Sequence, residues 1–144
     1  MTLLRDWLYI GKYTDLEALH NGDFKHIKVV LNLAEALPIE GKKVLFLNID
    51  DGVPLSFNDL LIGTEFLLNQ YYEGKTILVA CGAGVSRSAT FCTVLIKEIE
   101  KLSLLEVLKT IKQKHPKALP HPELWKSVCQ VYDEEFDYYK VLKA

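Results

Sequence analysis

In the stretch "VACGAGVSRSAT", residues 79–90, Cys81 is followed six residues later by Arg87, one of two arginines in a chain that otherwise uses lysine. Gly82 and Gly84 lie between them, and Ser86 and Ser88 flank the arginine. The apolar run "KTILVA" (75–80) predicts a strand before the cysteine, and the mostly apolar residues from Ser88 to Leu102 predict a buried helix after the arginine. A strand that passes through a glycine-containing loop into a helix is an anion site. The N–H groups at the helix start are unpaired, and the helix dipole favours negative charge. The two glycines let the backbone curl so that the N–H groups of Gly82, Ala83, Gly84, Val85, Ser86 and Arg87 converge on one centre. Arg87 adds a planar, two-pronged donor matched to two oxygens of a phosphate, where lysine offers only a point charge. The same donors favour a thiolate at Cys81. The expected chemistry is attack of Cys81 on phosphorus, giving a phosphocysteine that water then cleaves. Ser88 is placed to hydrogen-bond the sulfur and stabilise it as the second leaving group. A lone cysteine is ordinarily a small buried hydrophobe. Here the ordered set of strand, glycines, arginine, serine and apolar helix points to catalysis.

Expelling an alkoxide or phenoxide from phosphorus needs a proton donor, and the hydrolytic water needs a base. "NIDDGVPLS" supplies Asp50 and Asp51 after another apolar run. In a parallel sheet the loops that follow strand C-termini collect on one edge, so this loop can reach the cysteine loop. Adjacent carboxylates repel, which favours a proton on one of them. "DDG" is also ordinary turn chemistry, and the residues alone leave open which aspartate serves.

The elements that must position these groups alternate. "WLYIG" (7–11), "HIKVVLNLA" (26–34) and "KVLFLNI" (43–49) read as strands. Thr14 with Glu17 predicts a capped helix to about His20, closed by "NG" at 21–22. Ser56 with Asp59 caps a second helix, with Leu60, Leu61, Phe66, Leu67 and Tyr71 on its apolar face, that stops at Gly74. Ser103 with Glu106 opens a third that ends before Pro116, and "HPKALPHPE" leads into a last amphipathic helix to about Lys140. This alternation predicts an α/β domain with a largely parallel sheet.

The 144 residues suit one domain, and the net charge of −2 gives no general attraction to nucleic acid or acidic membranes. No apolar run approaches a membrane span, and the N-terminus lacks the features of a signal peptide. Three irregularly spaced cysteines do not form a disulfide framework, so a reducing, cytoplasmic setting is expected. Cys92 and Cys129 are expected to be buried hydrophobes, with Cys92 or Cys129 as a resolving partner for oxidised Cys81 the less favoured reading. His20, His26, His115 and His121 have no metal spacing and read as surface or cap residues; no metal is expected. Lys112, Lys114 and Lys117 are candidates for a secondary anion site, or simply a solvated face.

"CGAGVSRS" resembles the Cys-x5-Arg-Ser/Thr signature of protein tyrosine phosphatases, in the form found in dual-specificity phosphatases. The resemblance extends over "LYIGKYTDLEALHNGDFKHIKVVLNLAEALP" and "IKQKHPKALPHPELWKSVCQVYDEEF". It implies a small central mixed or mostly parallel sheet of four to five strands flanked by helices, in a single catalytic domain over residues 1–144. It also implies cofactor-free hydrolysis of phosphomonoesters. "FLNIDDGVP" is similar to that family's general-acid loop, which makes Asp51 the acid and Asp50 the reserve. One departure stands out. The family usually carries histidine immediately before the nucleophile, where this chain has Ala80, so less thiolate stabilisation and weaker catalysis are expected. The uncharged loop positions 82–85 argue against a phosphoinositide head group, for which the superfamily usually places lysines there. The expected partner is a phosphorylated protein, at tyrosine and at serine or threonine, or a small phosphate ester. Neither nucleic acid nor membrane is expected as a partner, and the chain is expected to be a monomer. Two rival readings remain. One is a weakly active pseudophosphatase that binds phosphoproteins, motivated by Ala80. The other is a sulfur transferase of the rhodanese type, which would have no use for Asp51.

Overall fold

A computed structural model describes residues 1–144. Two four-residue runs stripped of water on both faces, Val29–Asn32 and Ile77–Ala80, form the middle of a five-stranded sheet. In chain order the elements are β1 (Thr2–Arg5), β2 (Leu8–Gly11), α1 (Tyr13–His20), β3 (Val29–Asn32), β4 (Lys43–Phe46), α2 (Phe57–Tyr72), β5 (Ile77–Ala80), α3 (Arg87–Glu100), α4 (Leu104–Lys114), α5 (Pro122–Tyr132) and α6 (Tyr138–Lys143). The strand order is β1-β2-β5-β3-β4. All pairings are parallel except β1 with β2, so the sheet is mixed and mostly parallel.

Side chains on a strand alternate between faces, and the central strands feed two cores. Val29 and Leu31 of β3, with Ile77 and Val79 of β5, enter a cluster of 29 buried residues shared with α2, α3, α4 and α5. Val30, Leu78 and Ala80 turn to the other face, where α1 covers them with Leu16 and Leu19. Burial on both faces is why these strands read as continuous apolar runs rather than alternating ones. Helix α3 lies deepest, with every residue from Ser88 to Ile96 buried.

Four sequence expectations change. The capping box of α1 lies two residues earlier than Thr14 and Glu17. Lys12 is the cap, and its N–H donates to Asp15 Oδ2 at 2.9 Å. The strand expected over 43–49 is ordered only as β4, an edge strand with no fully buried residue. On α2, Leu61 is exposed, while Gly63, Thr64 and Gln70 are buried. The single last helix is two. Asp133 adopts φ +51 at the end of α5, a left-handed conformation that breaks the helix, and α6 starts afresh at Tyr138. Strand β1 was not signalled at all: only Leu4 of its residues is buried, and its pairing is irregular between Leu3 and Arg5. Its Arg5 forks onto Glu100 through Nε (2.7 Å) and Nη2 (3.1 Å), a structural use of the other arginine.

Helix α2 meets α3 through a glycine. A Cβ on Gly63 would lie 2.4 Å from Cε1 of the fully buried Phe91 and 3.1 Å from Leu47 Cδ1. Gly63→Ala is therefore expected to be destabilising. Overpacking costs about 1–3 kcal/mol, while helix propensity returns no more than about 1 kcal/mol. The measurement is thermal unfolding, and the expected result is a lower Tm.

Candidate active site

The parallel pairing brings the C-terminal ends of β2, β3 and β5 into register, with Gly11, Ala80 and Asn32 side by side. Leu33 N donates to Ala80 O at 2.8 Å and Cys81 N donates to Gly11 O at 3.3 Å, so the loops after these strands start from one edge. Cys81 lies at the base of the loop that follows β5, with 2% of its surface exposed.

That loop is held from outside by its carbonyls. Tyr13 N donates to Gly82 O (3.1 Å), and Leu119 N donates to Val85 O (2.8 Å). His115 Nε2 donates to Gly84 O (2.8 Å). No peptide is cis, and in a trans peptide the N–H points opposite to the C=O. Drawing these three carbonyls outward turns the N–H groups of Ala83, Val85 and Ser86 the other way, into the loop. None of the N–H groups from Gly82 to Ser86 donates to a protein acceptor, and that of Arg87 belongs to the unpaired first turn of α3. Such a set of inward amides can cradle an anion.

Arg87 closes the cradle. Its Nη1 donates to Leu33 O (2.8 Å) and Ile49 O (3.1 Å), carbonyls from the loops after β3 and β4. Anchoring Nη1 leaves Nε and Nη2, the two-pronged edge, free for oxygens of a ligand. The loop after β3 is itself shaped by buried Asn32, which accepts from Ala34 N (2.9 Å) and donates to Glu35 O (2.7 Å). The two glycines have different tasks. Gly84 takes φ +70 and passes close to Gly11, whose carbonyl oxygen would be 3.0 Å from a Cβ. Gly82 is not left-handed; it leaves room for the guanidinium, as a Cβ there would sit 3.2 Å from Arg87 Nη2. The hydroxyl of fully buried Ser88 lies 3.1 Å from Cys81 Sγ.

The two aspartates part company. Ser86 Oγ donates to Asp51 Oδ1 at 2.6 Å and accepts from His121 N at 2.8 Å, so one hydroxyl ties the Asp51 loop and the segment before α5 to the cysteine loop. Asp50 instead lines a separate depression with Asn48, Val53 and Asp59. Tyr138 is a neighbour that the sequence did not suggest. Burial, and behind it the Asp51 carboxylate, push its phenol up, and its hydroxyl donates to Pro120 O.

Around this centre, a cleft of about 400 Å3 runs beside the loop and is lined by Lys12, Lys114, Lys117, His115 and Gly84 among others. The expected lysine trio is thus divided. Lys112 turns away and donates to Val141 O at 3.0 Å, and burial pulls its ammonium down. His121 caps α5 as expected, accepting from Glu123 N at 3.1 Å. His115 is a cap residue, at the C-terminal end of α4, but it is not at the surface: 6% of it is exposed, and it sits behind Gly84. The signal that could have found it is its place just after α4 and before Pro116, where the chain turns back across the loop.

The chain belongs to the dual specificity phosphatase family: that family's catalytic domain matches residues 8–134. It is therefore a member of the cysteine-based phosphatases. Among its relatives is dual specificity protein phosphatase 14 of Mus musculus, 36% identical over 59 residues, which is 41% of this chain and 30% of that protein. A protein of Invertebrate iridescent virus 6 that bears the name of a tyrosine phosphatase is 27% identical over 124 residues, 85% of each chain. The fold is similar to that of human DUSP28, with a TM-score of 0.82, 20% identity, and coverage of 92% of this chain and 96% of that one. No helix is long and apolar enough to cross a membrane.

Cys92 and Cys129 are free and buried, and Cys92 lies near enough to Cys81 to feel its charge. Burial pushes the Cys129 thiol up to about 11 and the Cys92 thiol further still. Burial disfavours the thiolate, so both stay protonated near neutrality. Iodoacetamide at neutral pH should leave both unlabelled in the folded protein. Labelling of Cys129 should rise only as the pH nears 11, read by peptide mass spectrometry.

Proposed function

We propose that residues 1–144 form a catalytic domain that hydrolyses phosphomonoesters through a phosphocysteine. The observation that carries this reading is the convergence of inward amides and the free edge of Arg87 above Cys81, with Asp51 hydrogen-bonded to the same loop. The phosphoryl oxygens lie in the cradle of residues 82–87, and Arg87 Nε and Nη2 take two of them. Cys81 Sγ attacks phosphorus as the ester oxygen leaves, and that oxygen takes the Asp51 proton. Water then attacks the phosphocysteine and gives its proton to Asp51. Inorganic phosphate departs, and the sulfur leaves as a thiolate that the Ser88 hydroxyl stabilises. The hydrogen bond between Ser86 and Asp51, and the separation of Asp50, favour Asp51 as the acid.

The substrate class is proposed as phosphorylated protein, at tyrosine and at serine or threonine. Gly82 and Ala83 are exposed at the mouth of the loop, and none of residues 82–86 is charged, which suits an ester group reached at the surface. The domain is proposed to act as a monomer in the cytoplasm.

Cys81→Ser is expected to abolish hydrolysis of p-nitrophenyl phosphate. Asp51→Asn should lower turnover of an alkyl phosphate by about 100-fold, with a smaller loss for p-nitrophenyl phosphate, whose leaving group needs less protonation. It should also remove the alkaline limb of the pH–rate profile, because that limb reports loss of the acid's proton. Asp50→Asn should do neither. Phosphopeptide binding with no Cys81-dependent turnover would instead favour the binding-module reading.

A further inference from the structure

We infer that His115 is a positioning residue for the cysteine loop, holding the Gly84–Val85 peptide so that the Val85 N–H faces the bound oxyanion. A carbonyl oxygen only accepts, so the contact of 2.8 Å to Gly84 O fixes the proton on Nε2. In the neutral ring Nδ1 then accepts from Thr2 Oγ1 at 2.9 Å. Both ring nitrogens of a residue that is 6% exposed are thereby satisfied, and the imidazole is locked in one orientation between β1 and the loop. A buried ring with both nitrogens used has no freedom to turn, so the position of Gly84 O follows from the packing of β1 and α4.

The need for such a strut is local. Gly84 stands at φ +70, its backbone is crowded against Gly11 on one side, and its carbonyl has no backbone donor. The preceding strand offers no help, because Ala80 carries no hydrogen-bonding side chain and turns into the small core under α1. The carbonyls on either side of Ala83 and at Val85 are anchored by Tyr13 N, His115 Nε2 and Leu119 N in turn. Of these three anchors only His115 is a side chain, so it can be removed without altering the backbone. Without it, the Gly84–Val85 peptide is free to rotate, and one inward amide is lost from the cradle.

The effect on anion binding stands on this geometry alone, and the effect on turnover rests on the phosphatase reading. The test uses inorganic phosphate as the probe, by titration calorimetry, beside hydrolysis of p-nitrophenyl phosphate. Glutamine can place an amide N–H near the Nε2 position, whereas the shorter asparagine reaches only to Nδ1 and falls short of Gly84 O. His115→Asn is expected to raise the phosphate dissociation constant by about tenfold, the effect of one buried hydrogen bond. His115→Gln should stay within about threefold of the parent, since it keeps the donor. If the parent turns over substrate, kcat should follow the same order. If Asn and Gln variants of equal Tm bind phosphate alike, or if His115→Asn binds it as the parent does, the inference is overturned. A parent that binds phosphate but shows no Cys81-dependent turnover would overturn the phosphatase reading and leave the order of phosphate affinities to decide this one.

Discussion

The site depends on the direction of a few peptide planes. Three carbonyls of the cysteine loop are pulled outward by donors from α1, from the residue that follows α4, and from the segment before α5. Peptide planarity converts that pull into inward N–H groups without any further side chain. Amides held this way need no reorganisation when an oxyanion arrives, which is the advantage of preorganised donors over water. The cost is a stretch of unpaired donors, acceptable because the loop lies at the surface, where Gly82 and Ala83 meet solvent.

A second constraint is the shared sheet edge. Arg87 is half-buried and reaches carbonyls after both β3 and β4, so it acts as a clasp across three loops. Ser86 makes the complementary link to Asp51 and to the backbone of His121. Cys81, the amides of residues 82–87 and Asp51 thus come from separate stretches of sequence that meet because β3, β4 and β5 run parallel and end together. Removing any one link loosens a group in another loop. The site is therefore a property of the tertiary structure more than of its signature.

Much of this was legible in the residues. The cysteine loop announced itself by type and order, and the caps at Ser56 and Ser103 hold, with Asp59 N and Glu106 N donating to the two hydroxyls. The central strands were plain because burial on both faces leaves an unbroken apolar run. What escaped was decided by tertiary contacts. Strand β1 exists through its pairing with β2, and its own sequence has almost no buried pattern. The break at Asp133 is a left-handed residue with no glycine to mark it. His115 looked like a polar residue at a helix end, and only the folding of 115–119 across the loop buries it against Gly84. The division of labour between Gly82 and Gly84 was also hidden, since it depends on where Arg87 places its guanidinium.

The most direct measurement is a crystal structure of the protein with tungstate, which mimics the tetrahedral phosphoryl group. The account predicts one anion above Cys81 Sγ, within about 3 Å of several N–H groups of residues 82–87, with two of its oxygens on Nε and Nη2 of Arg87. An anion seated only in the lysine-lined cleft, or loop carbonyls turned inward with Arg87 facing solvent, would contradict it.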